Sequence, residues 1–335
     1  MPSRIIRRKI AFFAALVLSV LFFAGCGRGE RSGSIEGKTR EQEDASRGNR
    51  HAADPGDAEA QYRLGWNYYT GHDVEMNPAE AVKWFRKAAE QGHAEAQYRL
   101  ASCYRTGIGV NPVGAVKDSG SYVAVFYHSS EGNQNEEEAA KWFGKAAEQG
   151  HAEAQYEYAS CYENGSGIAK DPAEAVKWYR KAAEQDQNDA LVRLGNCLYR
   201  GIGVKRDFEE AAVWLRKAAE KSYPEAQVLL GVMYQNGEGV PKDLEQAVMW
   251  YRQAADWGDP DGKFRLALCL ADGIGVGKDA AGAIRLLRPL AENRYPGAKD
   301  KLKEMADGGE ADARDALEAV ETMLKKEPSN SFSFP

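Results

Sequence analysis

Between residues 150 and 185 the apolar positions fall into two stripes with helical spacing. Ala154, Tyr158, Cys161 and Tyr162 are separated by 4, 3 and 1 residues, which places them on one helical face. Ala175, Trp178, Tyr179, Ala182 and Ala183 repeat the pattern. Between the stripes, Gly165 and Gly167 end the first helix and turn the chain, because glycine enters φ > 0 without a steric penalty. Ile168 is the single apolar residue of the loop, and Asp171-Pro172 reads as an N-cap followed by the first residue of a second helix. The stretch therefore predicts a helix–loop–helix unit.

The unit recurs. Its tryptophan falls at Trp178, Trp214 and Trp250, 36 residues apart, with Leu286 one period later and Trp84 and Trp142 marking earlier copies. The copies are 56–91, 92–149, 150–185, 186–221, 222–257 and 258–293, the second carrying an insertion. Neither helix hides its stripe alone, so copies must stack, which predicts an all-α fold, a right-handed α-solenoid of helical hairpins. Small residues recur at fixed places. The position of Ala159 holds Gly65, Ala101, Gly195, Gly231 and Ala267, and that of Ala154 holds Ala60, Ala96, Ala190, Ala226 and Gly262. They let helices approach closely, with the Trp (or Leu286) as the large side chain of each layer.

One copy carries Ala190, Leu194, Gly195, Leu198, Gly201, Gly203, Val204, Ala211, Trp214, Lys217, Ala218 and Ala219. This pattern resembles the Sel-one-like repeat over about 56–293, with Leu198 where Tyr104, Tyr162 and Tyr234 show the usual tyrosine. Tetratricopeptide repeats are related, but they have a period of about 34 residues and lack the G-x-G-V loop. The resemblance implies a curved scaffold that serves as an adaptor in protein complexes, with a protein or peptide partner. Cysteine-rich bacterial members described as β-lactamase-like imply a β-lactam hydrolase as an alternative, but this chain has at most one Cys per repeat.

The first 25 residues follow a different pattern. Arg4, Arg7, Arg8 and Lys9 precede an apolar run, Ile10 to Phe23, which is shorter than the roughly 20 residues of a bilayer span. The run ends in Phe23-Ala24-Gly25-Cys26. This reads as an export signal, and it resembles a lipobox, which implies cleavage before a lipidated Cys26. The alternative is an uncleaved membrane anchor. Gly27 in place of Asp implies the outer membrane, facing the periplasm. Cleavage would shift the formal charge from −6 to −10, which argues against nucleic acid as a partner. Residues 26–55 read as the lipidated Cys and a flexible polar tether, with a reach of about 25–30 Å.

Candidate chemistry is sparse. Cys103, Cys161, Cys197 and Cys269 share one position in the repeat, on the order of 10 Å apart or more, beyond the reach of a disulfide. They are expected to be buried free thiols. His93 and His151 stand where other copies have Asp57 or Asp259, and read as solvated turn residues. No metal, cofactor or catalytic residue is assigned, and no H-E-x-x-H, G-x-S-x-G or phosphate loop occurs. Glu59/Arg63, Glu95/Arg99, Asp189/Arg193 and Asp261/Arg265 have i,i+4 spacing, read either as helix-surface pairs or as a mixed-charge lining that reads a peptide.

Trp66 stands where other copies have Ser102, Ser160 and Asn196, and is a candidate anchor for a partner or a cover for the N-terminal edge. The extra residues of the second copy, about 112–133, include Tyr122, Phe126 and Tyr127 in a β-prone run. They are expected to form a short hairpin or lid whose aromatics touch a partner, or a loop folded back on the solenoid. A peptidoglycan or carbohydrate binder using Trp66 and these aromatics is a further alternative. Residues 294–327 read as polar capping helices and 328–335 as a tail.

Overall fold

The computed structural model describes residues 56–110, 117–118, 121–122 and 132–326. Helices alternate with short loops throughout: α1 (Ala58–Thr70), α2 (Pro78–Glu90), α3 (Ala94–Thr106), α4 (Gly132–Glu148), α5 (Ala152–Asn164), α6 (Pro172–Glu184) and α7 (Asn188–Arg200). They continue as α8 (Phe208–Glu220), α9 (Pro224–Asn236), α10 (Leu244–Asp256), α11 (Pro260–Asp272), α12 (Ala280–Glu292), α13 (Ala298–Asp307) and α14 (Ala311–Lys326). Each helix packs on the next, so pairs α1–α2 to α11–α12 form six hairpin repeats. The first helices also touch one another, α7 with α9, α9 with α11 and α11 with α13, which sets them on the inner side of the stack. α14 folds back on both α12 and α13 and covers the last interface. Within the second repeat, β1 (Lys117–Asp118) pairs antiparallel with β2 (Ser121–Tyr122), a minimal ribbon and the only strands among the described residues.

Local sequence sets the helix ends. Asp171 accepts from the N–H groups of Ala173 (3.0 Å) and Glu174 (3.1 Å), with Pro172 in the first turn. Asn77, Asp207, Asp243 and Asp279 cap the second helices of other repeats in the same way. Gly165 and Gly167 adopt φ of 76° and 72°.

The large side chain of each layer differs from expectation. Phe85, Phe143, Tyr179, Leu215, Tyr251 and Leu287, each one residue after the Trp or Leu286 position, are 0–1 % exposed and fill the centre. The tryptophans lie at its margin, and Lys87, Lys145, Lys181 and Lys217 place their ammonium groups 3.6–4.6 Å from the centres of Trp84, Trp142, Trp178 and Trp214. Small residues sit opposite the central side chains. A Cβ on Gly231 would lie 2.5 Å from a Tyr251 ring carbon, and one on Gly195 2.6 Å from Leu215 Cγ.

A buried polar ladder also crosses the core. Gln97, Gln155 and Gln227 donate to the carbonyls of Ala89, Ala147 and Ala219, at the end of the preceding second helix (3.0–3.1 Å). Gln61, Gln97 and Gln155 accept from Gln91, Gln149 and Gln185, the residue after the second helix of their own repeat (2.6, 2.6 and 2.8 Å). Gln97, Gln155 and Gln227 thus each satisfy a helix-end carbonyl and join two repeats. In the fourth repeat Leu191 fills the same place, fully buried. Gln155→Ala is expected to lower stability by about 2 kcal/mol, because it leaves a cavity and a bare carbonyl. Gln155→Leu, copying repeat 4, should cost less than half as much in urea unfolding.

Candidate functional site

One register row of the first helices holds Trp66, Ser102, Ser160, Asn196, Val232 and Leu268, all half-buried. The row begins with an aromatic group, is polar in its middle, and becomes aliphatic towards the C-terminus. Trp66 is half-buried against the core, stacks with Tyr69 (centroids 5.8 Å apart, 21° between planes), and carries the Arg99 guanidinium 4.6 Å above its ring. Arg99 comes from the next first helix, α3, and is held by Glu95 at 2.7 Å.

His93 and His151 overturn the reading of solvated turns. Each caps a first helix, its Nδ1 accepting from the N–H of Ala96 (3.1 Å) or Ala154 (3.2 Å). Each stacks on a tyrosine of the preceding repeat, Tyr62 or Tyr98, at 4.8 Å. With Nδ1 accepting, Nε2–H donates to Glu59 (2.9 Å) or Glu95 (2.7 Å). Shape and hydrogen bonding bury these rings at the junctions of repeats 1–2 and 2–3, a role that a local reading of turn residues cannot reveal.

The His151 hydrogen bond, aided by Arg99 and opposed by burial, holds the Glu95 carboxyl down at about 2, against an ordinary 4.5. A depressed carboxylate stabilises the fold above its unfolded value, and that contribution is lost as pH falls from 4.5 towards 2. Glu95→Gln is therefore expected to cost about 1–2 kcal/mol at pH 7 and to reduce the stability difference between pH 7 and pH 3 in urea unfolding.

The i,i+4 expectation holds for Glu59–Arg63 (2.6 Å) and Glu95–Arg99, and is corrected further along. Arg193 turns to Glu163 of the preceding repeat, and Glu163 also accepts from the Tyr179 hydroxyl at 2.7 Å. Arg265 lies 5.8 Å from the Tyr251 ring centre, and Asp261 accepts from Tyr295. Arg105 pairs with Glu157 across repeats 2 and 3. In repeat 4, Val213 replaces the lysine that pairs with Glu80 or Glu174 elsewhere. Glu210 is then available to accept from Trp214 Nε1 (3.1 Å) and Arg180 (3.1 Å), tying repeats 3 and 4 together.

All four repeat cysteines are buried free thiols, and burial pushes Cys103 and Cys161 up to about 12 and Cys197 to about 11, so they are poor nucleophiles. Among the described residues, no group of three His, Cys, Asp or Glu side chains converges as a metal site. No described helix is long and apolar enough to cross a membrane. Tyr122 lies in β2, whereas Phe126, Tyr127 and the lipidation candidate Cys26 fall outside the described residues.

Comparison with known proteins agrees with this architecture. The Sel1 repeat profile matches residues 58–93, 94–115, 121–151, 152–187, 188–223, 224–259 and 260–295, dividing the second repeat at its insertion. A protective antigen of uropathogenic Escherichia coli with an SLR fold superposes with a TM-score of 0.61 at 28% identity, over 84% of this chain and 64% of the antigen. The chain thus spans less than two thirds of that protein's length. A Sel1 repeat protein from Oxalobacter formigenes superposes with a TM-score of 0.58 at 32% identity, over 70% of this chain and 87% of the other. No match was found among curated proteins. Seven matched segments across 58–295, in register with six stacked hairpins, establish that the chain belongs to the Sel1 repeat family.

Proposed function

We propose that the chain is a non-catalytic protein-interaction scaffold of the cell envelope, exported and lipid-anchored through Cys26, facing the periplasm from the outer membrane. Sel1 repeats form protein-binding scaffolds, and the inner row of first helices offers a partner a continuous surface. The observation that carries the reading is Trp66, a half-buried indole at the head of that row with a cation stacked upon it. Rigid aromatic and arginine groups of this kind dominate binding energy at protein interfaces. Tyr122, Phe126 and Tyr127 of the insertion are the second candidate contact. The anchor is supported by the basic, apolar and small-residue pattern that ends at Cys26.

A photoreactive side chain at Ser102, in the Trp66 row, should give a discrete protein adduct in cells that disappears with Trp66→Ala. An adduct obtained only from Lys83 on the outer side, or one indifferent to Trp66→Ala, would rule the site out. Cys26→Ser should move the chain from the membrane to the soluble envelope fraction. Nitrocefin turnover by the purified protein should stay at background.

A further inference from the structure

The turns from each second helix into the next first helix form one edge of the stack, and repeat 5 departs from the plan of repeats 1 to 3. In those repeats the residue after the second helix is a glutamine, whose amide donates to the buried glutamine oxygen of its own repeat. Two residues later, His93 or His151 donates to Glu59 or Glu95. Repeat 5 has neither donor. Trp257 stands in the glutamine's place and is 66 % exposed. Gln227 keeps its bond to the Ala219 carbonyl (3.1 Å) and donates to Gln253 Oε1 (3.3 Å), but its own Oε1, the atom that accepts in repeats 1 to 3, has no partner although the residue is 1 % exposed.

Charge departs in the same place. Asp259 occupies the histidine position and Glu225 the position of its glutamate, so two carboxylates stand where repeats 1 and 2 pair an acid with an imidazole. Asp256 and Asp261 flank them, both exposed. Asp259 also caps Gly262 (2.8 Å), and Asp261 accepts from Tyr295. Lys221, the corresponding residue of repeat 4, reaches back to Asn188 (3.1 Å) and Asp186 (3.6 Å). Arg252, Lys263 and Arg265 are the cations near in sequence, Arg265 set over the Tyr251 ring, against four carboxylates, of which Glu225 also accepts from Asn196 (3.5 Å). These acids do not converge as a metal site.

We propose that this edge of repeats 5 and 6, centred on Trp257, docks a basic segment of a partner protein. An arginine or lysine side chain lies over the indole and turns its charge to Glu225, Asp256 and Asp259. The choice of partner follows from the chemistry left over. The ring face is negative and the carboxylates accept, so the complement is a group made only of donors with a positive charge. The edge lies at the opposite end of the stack from Trp66, and the proposal stands apart from that site.

The test uses the intact chain and a labelled hexa-arginine peptide, followed by fluorescence anisotropy. Saturable one-to-one binding that weakens with salt is expected. Trp257→Ala, and Asp259→His, which restores the imidazole of repeats 1 and 2, should each weaken it by about tenfold. Glu80→Gln on the outer side should change it less than twofold. Thermal unfolding of each variant separates folding from binding, and Trp257→Ala, at an exposed side chain, is expected to leave the midpoint unchanged. The proposal is overturned if the wild-type chain does not bind, if Trp257→Ala and Asp259→His bind normally, or if Glu80→Gln weakens binding equally.

Discussion

Gly203→Ala is expected to destabilise the protein by about 3–4 kcal/mol, far more than Gly258→Ala at about 1 kcal/mol, in urea unfolding. Both glycines have positive φ, +69° and +85°. They differ in what surrounds them. A Cβ on Gly203 would lie 2.1 Å from the Pro172 carbonyl oxygen, whereas one on Gly258 meets nothing within 4 Å. The turn position of Gly258 holds Asp186 and Ser222 in other repeats, at φ of 61° and 63°, so the conformation alone is tolerated. Gly203 has counterparts in Gly109, Gly167, Gly239 and Gly275, each with the same 2.1–2.2 Å approach to a backbone carbonyl in the N-terminal part of the preceding second helix. Repeat 1 supplies the control within the chain. There Asp73 takes the position at φ 60°, where no described repeat precedes it. The second loop glycine is thus a contact between repeats, and equal costs at Gly203 and Gly258 would refute this.

Glu163→Ala is expected to cost about 3 kcal/mol, the largest effect of any single charge removed. Glu163 lies on α5, accepts from Tyr179 on α6 and from Arg193 on α7, and so ties three helices of two repeats. Burial pushes its carboxyl up, but the hydrogen bonds from Arg193 and Tyr179 outweigh that and hold it below the ordinary range. Removing it strands a half-buried guanidinium and a buried phenol. Because the carboxyl is depressed in the folded state, its stabilisation is present at neutral pH and is lost as pH falls below the ordinary carboxylate value. The variant should therefore also lose less stability than the wild-type chain between pH 7 and pH 3. A cost below 1 kcal/mol, with an unchanged acid limb, would show the network to be incidental.

What could be read from the sequence was what neighbours in sequence determine. The cap at Asp171-Pro172, the turn at Gly165 and Gly167, and the 36-residue recurrence are local, and all appear in the structure. The joints between repeats were not legible. Gln155 interrupts an apolar stripe and looks like a surface residue, because its partners lie 8 and 30 residues away. Arg193 has a plausible acid four residues back, yet it chooses Glu163, 30 residues back, where burial makes the pair stronger. His151 resembles a turn residue until the stack brings Tyr98 and Glu95 to it from 53 and 56 residues away. For the candidate site, Trp66 was marked by the contrast with its counterparts in other repeats. Trp257 carries the same signal, a large aromatic where other copies have Gln91, Gln149 or Gln185, and the same comparison of copies identifies it.

The most direct test of the stacked-hairpin account is urea unfolding of a graded series: 152–187, 152–223, 152–259 and 152–326. Coupling between neighbours predicts that the single hairpin is unfolded in water and that each added repeat raises the midpoint and steepens the transition. A cooperative transition for 152–187 alone, or midpoints independent of repeat number, would contradict it.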